Sequence, residues 1–356
     1  MKGDYLKQNY FSTANEIYSE ILNNQLAPIS IAFDNKYYIE LNQKAQEIKT
    51  KYNKIFVVGM GGSFLGAKTI IEGLNLLQKL EFIYYIEDDI LNPKLQEITG
   101  QDLVICISKS GETTEVLYIL EKLLKSNFKN IIGITANLSG KLAKICNQNN
   151  FEILKHEEVS GRFSFLTNVG ILPSLIAGFN LENFLLGVKD AINIILVKYD
   201  ESFYKHLNSQ LFNKNLNLNI LMPYSFKLKT LTNWFCQAYA ESINRKEFKI
   251  MPFPSIGTVD QHSVLEGYLQ NPEDKMITFI AKKETSLLYK EYLLTKKICT
   301  ERGMEVRTFE FEQIQEKEIG FLMTYFAIEI IFIARILGIN PFNQEMVEKR
   351  KKLNIL

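Results

Sequence analysis

The sequence predicts an α/β protein made of two parallel-sheet αβα sandwich subdomains, with an extra helical segment at the N-terminus and helices at the C-terminus. Three observations predict it. Short apolar runs recur along the 356 residues, separated by ~10–20 residues of helical pattern, as in βαβ units. The runs fall into two sets of similar design, split by a helical stretch near 170–213. Two of the runs end in turns rich in glycine and hydroxyl residues, which is where open α/β sheets bind ligands.

The elements follow in order. Residues 1–50 read as helical and polar on one face. Lys54–Gly59, Phe82–Ile86, Leu103–Ile107 and Ile131–Ile134 are apolar enough to be buried strands. After the helical stretch come Leu218–Met222, Phe248–Pro252, Met276–Ile280 and Val306–Phe309. The domain expectation is residues 1–200 for the N-terminal helices plus the first sheet, and 201–356 for the second sheet plus the C-terminal helices, with a linker near 195–215. The apolar stretch Ile319–Ile339 is interrupted by Glu329 and Arg335. It reads as a buried helix, not a membrane span.

Composition narrows the function. Hydrophobic residues make up 46% and charged residues 23%, with a net charge of +1. That balance suits a globular protein and gives no global field favouring nucleic acid or an anionic membrane. Cys106, Cys146, Cys236 and Cys299 are widely spaced, with no CxxC pair, so neither a zinc site nor a disulfide framework is expected. The N-terminus lacks the apolar run of a signal peptide, and a cytoplasmic enzyme is the expectation.

Six stretches carry chemistry. Gly59-Met60-Gly61-Gly62-Ser63 directly follows the first strand, where glycines permit a tight turn and close backbone approach. A dinucleotide-binding reading fails on spacing, because Phe64 stands where the third glycine belongs, and Glu87 is the sole ribose-binding candidate. Ser108-Lys109-Ser110-Gly111-Glu112-Thr113 follows a buried strand and opens a helix. Free N–H groups, short hydroxyls and a lysine there make a cradle for an anion such as phosphate. A well-capped helix start would read the same way. Ser160-Gly161-Arg162-Phe163-Ser164 offers an arginine to an oxyanion, or a surface loop. Gln237 and Glu241 share one helical face, and Glu241 is either a general base or a surface carboxylate. His262, within Gly257-Thr258-Val259-Asp260-Gln261-His262-Ser263, is the one of three histidines set among small turn-forming residues, and is suited to proton transfer near neutral pH. The sixth stretch is Gly338-Ile339-Asn340-Pro341-Phe342-Asn343-Gln344 with the basic run to Lys351.

Together, in this order from about residue 55 to the C-terminus, these stretches resemble the glucose-6-phosphate isomerase family. The resemblance implies two sugar isomerase (SIS-type, flavodoxin-like) domains and a homodimer with shared active sites. It places substrate-phosphate binding on Ser63, Ser108, Lys109, Ser110 and Thr113, and further substrate contacts on Gly62, Gln237 and Gln344. It implies Glu241 as the proton-transfer base, Arg162 as the enediolate stabiliser, and His262 with Lys351 as the ring-opening pair, the histidine coming from the partner subunit. No cofactor and no metal are implied. The partner is a small sugar phosphate, with no nucleic acid and no membrane.

Three departures stand out against that family pattern. Glu112 occupies a position where a hydroxyl is usual and would put negative charge beside a phosphate. Asn343 replaces the usual aspartate. Ser242-Ile243-Asn244-Arg245-Lys246 loosens the usual Ser-x-Gly-Lys. The reaction implied is glucose 6-phosphate to fructose 6-phosphate through a cis-enediol. Two alternatives are a dual phosphoglucose/phosphomannose isomerase, against which Gln344 counts because threonine is usual there, and a non-catalytic sugar-phosphate sensor. A nucleotide-dependent dehydrogenase is the third.

Overall fold

The computed structural model describes residues 2–77, 80–83, 93–244 and 248–344. It divides into two units, Leu26–Asn183 and a second made of Met1–Gln25 with Phe184–Leu356.

The first unit holds β1 (Ile55–Val58), β2 (Leu80–Ile83), β3 (Leu103–Ile107), β4 (Ile131–Thr135) and β5 (Glu152–Lys155). All pair in parallel, in the order β2-β1-β3-β4-β5. The three central strands are buried along their whole length, which is why they read as unbroken apolar runs. β5 is an edge strand with a largely exposed, polar pattern. No apolar run announces it. One face of the sheet is covered by the helix Thr114–Lys125, whose Val116, Leu120 and Leu123 pack with Phe56, Val58 and Val104. The helix Asn168–Ala177 is buried from Asn168 to Ile176 and packs against the helix Gly62–Leu74.

The chain runs from β1 outward to β2 and then returns to place β3 on the other side of β1. The crevice between β1 and β3, at their C-terminal ends, is therefore the topological switch point. The registers Val58↔Cys106 and Ile107↔Ile134 bring the turns after these strands to one edge.

The second unit repeats the scheme with β6 (Leu218–Pro223), β7 (Met251–Pro254), β8 (Lys275–Lys282) and β9 (Glu305–Phe311), in the parallel order β7-β6-β8-β9. β7 starts three residues later than the apolar pattern suggests. Pro252 and Pro254 fall inside it, and prolines are tolerated because β7 is an edge strand. Residues 195–215, where the pattern of elements suggested a linker, hold the end of a π-helical turn, Asn193–Val197, and the helix Glu201–Phe212. The helix Glu316–Ile336 is long and apolar enough to cross a membrane, but 83% of its most apolar window is buried inside the protein. Its Glu329 is paired with Arg307 at 2.7 Å, both side chains 1% exposed.

Candidate anion loop and acid–base residues

The loop after β3 is built from its own hydroxyls. Ser108 is fully buried and continues the strand ladder, its N–H donating to Ile134 O at 3.0 Å. Its Oγ lies 2.7 Å from Thr113 Oγ1 and accepts from Thr113 N at 3.3 Å. Thr113 stands at the N-cap of the helix Thr114–Lys125, yet its side chain makes no cap bond. The hydroxyl that would satisfy the helix end is turned back to Ser108. The N–H groups of Lys109, Ser110, Thr114 and Glu115 consequently have no acceptor among the described residues. That distinguishes the loop from an ordinary capped helix start and leaves donors for an anion. Gly111 has φ +69°, a conformation that favours glycine.

Glu112 does not face this cradle. Its Oε1 accepts from Lys141 N at 2.9 Å and its Oε2 lies 3.3 Å from Lys141 Nζ. The carboxylate caps the helix Lys141–Gln148, where the N-terminal dipole favours a negative charge.

The turn after β1 meets a second loop. A Cβ on Gly62 would fall 2.3 Å from Gly161 C and 2.4 Å from Arg162 N, so only glycine permits this approach. Ser164 Oγ donates to Gly161 O at 2.6 Å and to Gly62 O at 3.3 Å. The structure thus brings Gly62, Ser63 and Arg162 together, while the strand order places them at the same sheet edge as Ser108–Thr113. Arg162 is only 2% exposed, and its guanidinium lies over the Phe163 ring. The surface-loop alternative for this arginine fails on that burial.

The equivalent turn of the second sheet, after β8, is closed. Ser286 caps the helix Leu287–Glu301 through Tyr289 N at 3.2 Å, and Glu284 takes bonds from Ser286 and Lys282. Here the serine hydroxyl caps the helix and the lysine is taken up by a carboxylate, unlike Ser108 and Lys109 in the first sheet.

The second unit carries the acid–base candidates. Gln237 Nε2 donates to Glu241 Oε1 at 3.1 Å on the half-buried face of the helix Lys229–Ile243. The other face of that helix is held by a buried polar network. Tyr239 OH donates to Gln210 Oε1 at 2.7 Å, Gln210 Nε2 donates to Glu329 Oε1 at 2.6 Å, and Arg307 binds the same oxygen. His262 is exposed on a short 3-10 turn, Val259–His262. Its neighbours are fixed. Asp260 Oδ2 accepts from Ile256 N and Ser255 Oγ, and Gln261 accepts from Tyr224 OH at 2.7 Å while donating to Glu291 at 2.6 Å. Gln344 is half-buried beyond the Asn340–Phe342 turn. Lys351 lies outside the described residues, as do Glu87, Arg245 and Lys246.

Other candidates are inert. Cys106, Cys146 and Cys299 are buried and unpaired. Burial pushes the Cys146 and Cys299 thiols up to about 11 and that of Cys236 to about 12, so none is a thiolate near neutral pH. Among the described residues no His/Cys/Asp/Glu cluster could hold a metal ion.

The sequence reading missed the residues that support the site. Asn137, Lys141 and Gln210 act through partners distant in the chain. Only Asn137-Leu138-Ser139-Gly140 left a trace, as a turn-forming cluster directly after β4.

Comparison with known proteins agrees with this geometry. Residues 49–175 match the SIS domain family, a span that includes β1 to β5 and both turns at the switch point. The chain is 29% identical over 340 residues to a glucose-6-phosphate isomerase from Methanocaldococcus jannaschii, covering 85% of this chain and 83% of that one. It is 26% identical over 361 residues to another from Mycoplasma mycoides, covering 88% and 84%. A hypothetical protein from Thermus thermophilus shares the fold with TM-score 0.85 at 23% identity, over 99% of this chain and 95% of that one. A glucose-6-phosphate isomerase from Chlamydia trachomatis does so with TM-score 0.76 at 21% identity, over 89% and 72%. Fold and loop together define a protein of the SIS, or sugar isomerase, class. Within that class, both sequence relatives named here are glucose-6-phosphate isomerases.

Proposed function

We propose that the protein reversibly converts glucose 6-phosphate to fructose 6-phosphate by aldose–ketose isomerisation. The observation that carries the reading is the Ser108–Thr113 loop. A helix start stripped of its cap, with a lysine and two hydroxyls beside it, is suited to a phosphate dianion. The same chain supplies a half-buried carboxylate, Glu241, to move a proton.

In this reading His262 and Lys351 open the sugar ring by moving a proton from O1 to O5. The Glu241 carboxylate then takes the proton from C2; the C2–H electron pair becomes the C1=C2 bond, the C1=O1 pair moves onto O1, and the O2 proton passes to O1 through the cis-enediol, leaving the C2 carbonyl of the ketose. The same carboxyl group returns a proton to C1, so the hydrogen lost at one carbon is regained at the next and no external oxidant enters. Arg162 stabilises the negative charge developing on the oxygens. Gln237 orients Glu241 and touches the substrate, as do Gly62 and Gln344. Ser63, Ser108, Lys109, Ser110 and Thr113 hold the remote phosphate, whose binding energy positions the reacting carbons. In this reading the protein is a cytoplasmic homodimer, and the exposure of His262 supports a histidine that serves the partner's site.

The test is a coupled assay with fructose 6-phosphate, following glucose 6-phosphate and mannose 6-phosphate in parallel. Glucose 6-phosphate alone, abolished by Glu241→Gln, is the expected result. Mannose 6-phosphate beside it would mark the dual-specificity reading, and saturable binding without turnover the sensor.

A further inference from the structure

The turn between β4 and the helix Lys141–Gln148 takes no part in the proposed reaction, yet it is bonded to four consecutive residues of the anion loop. Lys109 O accepts from Ala136 N at 3.1 Å and from Thr135 Oγ1 at 3.2 Å. Ser110 O accepts from Asn137 Nδ2 at 3.0 Å. Gly111 O accepts from Leu142 N at 3.0 Å. Glu112 accepts from Lys141 N at 2.9 Å. The two backbones are also in close contact, since a Cβ on Gly111 would lie 3.3 Å from Gly140 Cα.

These bonds set the direction of the loop's donors. In a trans peptide the C=O and the following N–H point to opposite sides of one rigid plane. Fixing Lys109 C=O toward the turn therefore fixes the Ser110 N–H away from it, while fixing Ser110 C=O holds the Gly111 N–H on Ser108 O at 3.0 Å and so closes the loop on itself. Asn137 is itself held in place. Its Oδ1 accepts from Ser139 N and Ser139 Oγ, and its own N–H donates to Thr135 Oγ1.

We propose that the Thr135–Lys141 turn is a scaffold that presets the anion loop before ligand arrives, with Asn137 and Glu112 as its positioning residues. On this account Glu112, despite its charge, favours phosphate binding. It holds the loop through Lys141, and its charge is matched by a helix N-terminus and an ammonium group. The inference rests on the phosphate-binding reading of the loop. A preset loop binds more tightly because less ordering is left to the binding step.

The experiment is titration of the full-length protein with inorganic phosphate, alongside steady-state kinetics with fructose 6-phosphate and thermal melts of each variant. Asn137→Ala and Glu112→Ala should each weaken phosphate binding and raise KM by about three- to tenfold, the range of one lost hydrogen bond, with kcat unchanged. Glu112→Gln keeps an acceptor for Lys141 N and should stay within about twofold of the parent. Variants that melt lower but bind phosphate normally would overturn the proposal, because a merely structural turn predicts that split. Tighter binding by Glu112→Ala or Glu112→Gln would also overturn it, by showing that the carboxylate acts through charge repulsion. If Lys109→Ala leaves phosphate binding unchanged, the phosphate reading of the loop fails. If Lys109→Ala abolishes binding while Asn137→Ala and Glu112→Ala do not alter it, only the scaffold fails.

Discussion

The hydroxyls of Ser108 and Thr113 lie 2.7 Å apart across the loop that follows β3, and this bond takes the cap away from the helix behind it. A threonine at the N-cap ordinarily satisfies a free N–H of the first turn. Here it organises a loop instead. Thr113→Val keeps the shape and removes the hydroxyl, so it should raise KM for fructose 6-phosphate about fivefold through loss of one hydrogen-bonding group, with kcat changed little. Thr113→Ser should restore it. Initial-rate kinetics on the three proteins decide the matter, and an unchanged KM in the valine variant would remove Thr113 from the binding site.

His262 is exposed on its turn, whereas Glu241 is half-buried on a helix beside Gln237. If the histidine of one subunit serves the site of the other, two inactive proteins should complement each other. Glu241→Gln and His262→Ala, mixed after reversible dissociation, would form hybrids with one intact site in two. With random pairing half the dimers are hybrids, so about a quarter of the parental activity should return. Activity that stays at the level of the separate variants would place both residues in the same subunit's site.

Much of this was legible in the sequence, and what was not has physical reasons. Buried parallel strands announce themselves as apolar runs, so β1, β3, β4, β6 and β8 stand where the pattern places them. β5 is a short, wetted edge strand with only Ile153 and Leu154 apolar, and it leaves no such trace. The anion loop was legible because its residues are contiguous. Glu112 looked out of place because its partner, Lys141, is 29 residues further on. Arg162 could not be told from a surface arginine, since its burial depends on the fit of Gly62 against the backbone of Gly161.

His156 follows β5 and is fully buried. Its Nδ1 lies 2.6 Å from Glu157 O, while its Nε2 is buried with no partner among the described residues. Burial lowers its pKa, and the positive charge of Lys109 adds to the effect, against opposing contributions from the Glu157 carbonyl and the Glu158 carboxylate. The unfolded chain therefore binds a proton here more readily than the folded one. Its contribution to stability is full above the unfolded value of about 6.5 and is lost as pH falls from there toward the lower folded value. Melting temperatures measured from neutral to mildly acidic pH should fall less steeply for His156→Gln than for the parent. Parallel curves would show that this histidine does not titrate on unfolding.

The ion pair Arg307–Glu329 sits in the core of the second unit, each side chain 1% exposed. Arg307 Nε donates to Thr278 Oγ1 at 3.0 Å, and its guanidinium lies among the rings of Phe309, Tyr325 and Phe326. Glu329 receives Gln210 as well, which in turn receives Tyr239 from the helix that carries Glu241. Removing one charge strands the other in an apolar setting, so Glu329→Ala should cost about 3–5 kcal/mol. Replacing both partners at once, Arg307→Met with Glu329→Leu, should cost much less, because no buried charge is left unmatched. Urea melts of the two variants separate these outcomes. A double variant as unstable as Glu329→Ala would mean that the pair is stabilising in itself. A double variant that is stable but slow, with Glu241 intact, would mean that the network's contribution lies in holding the Lys229–Ile243 helix in register through Tyr239.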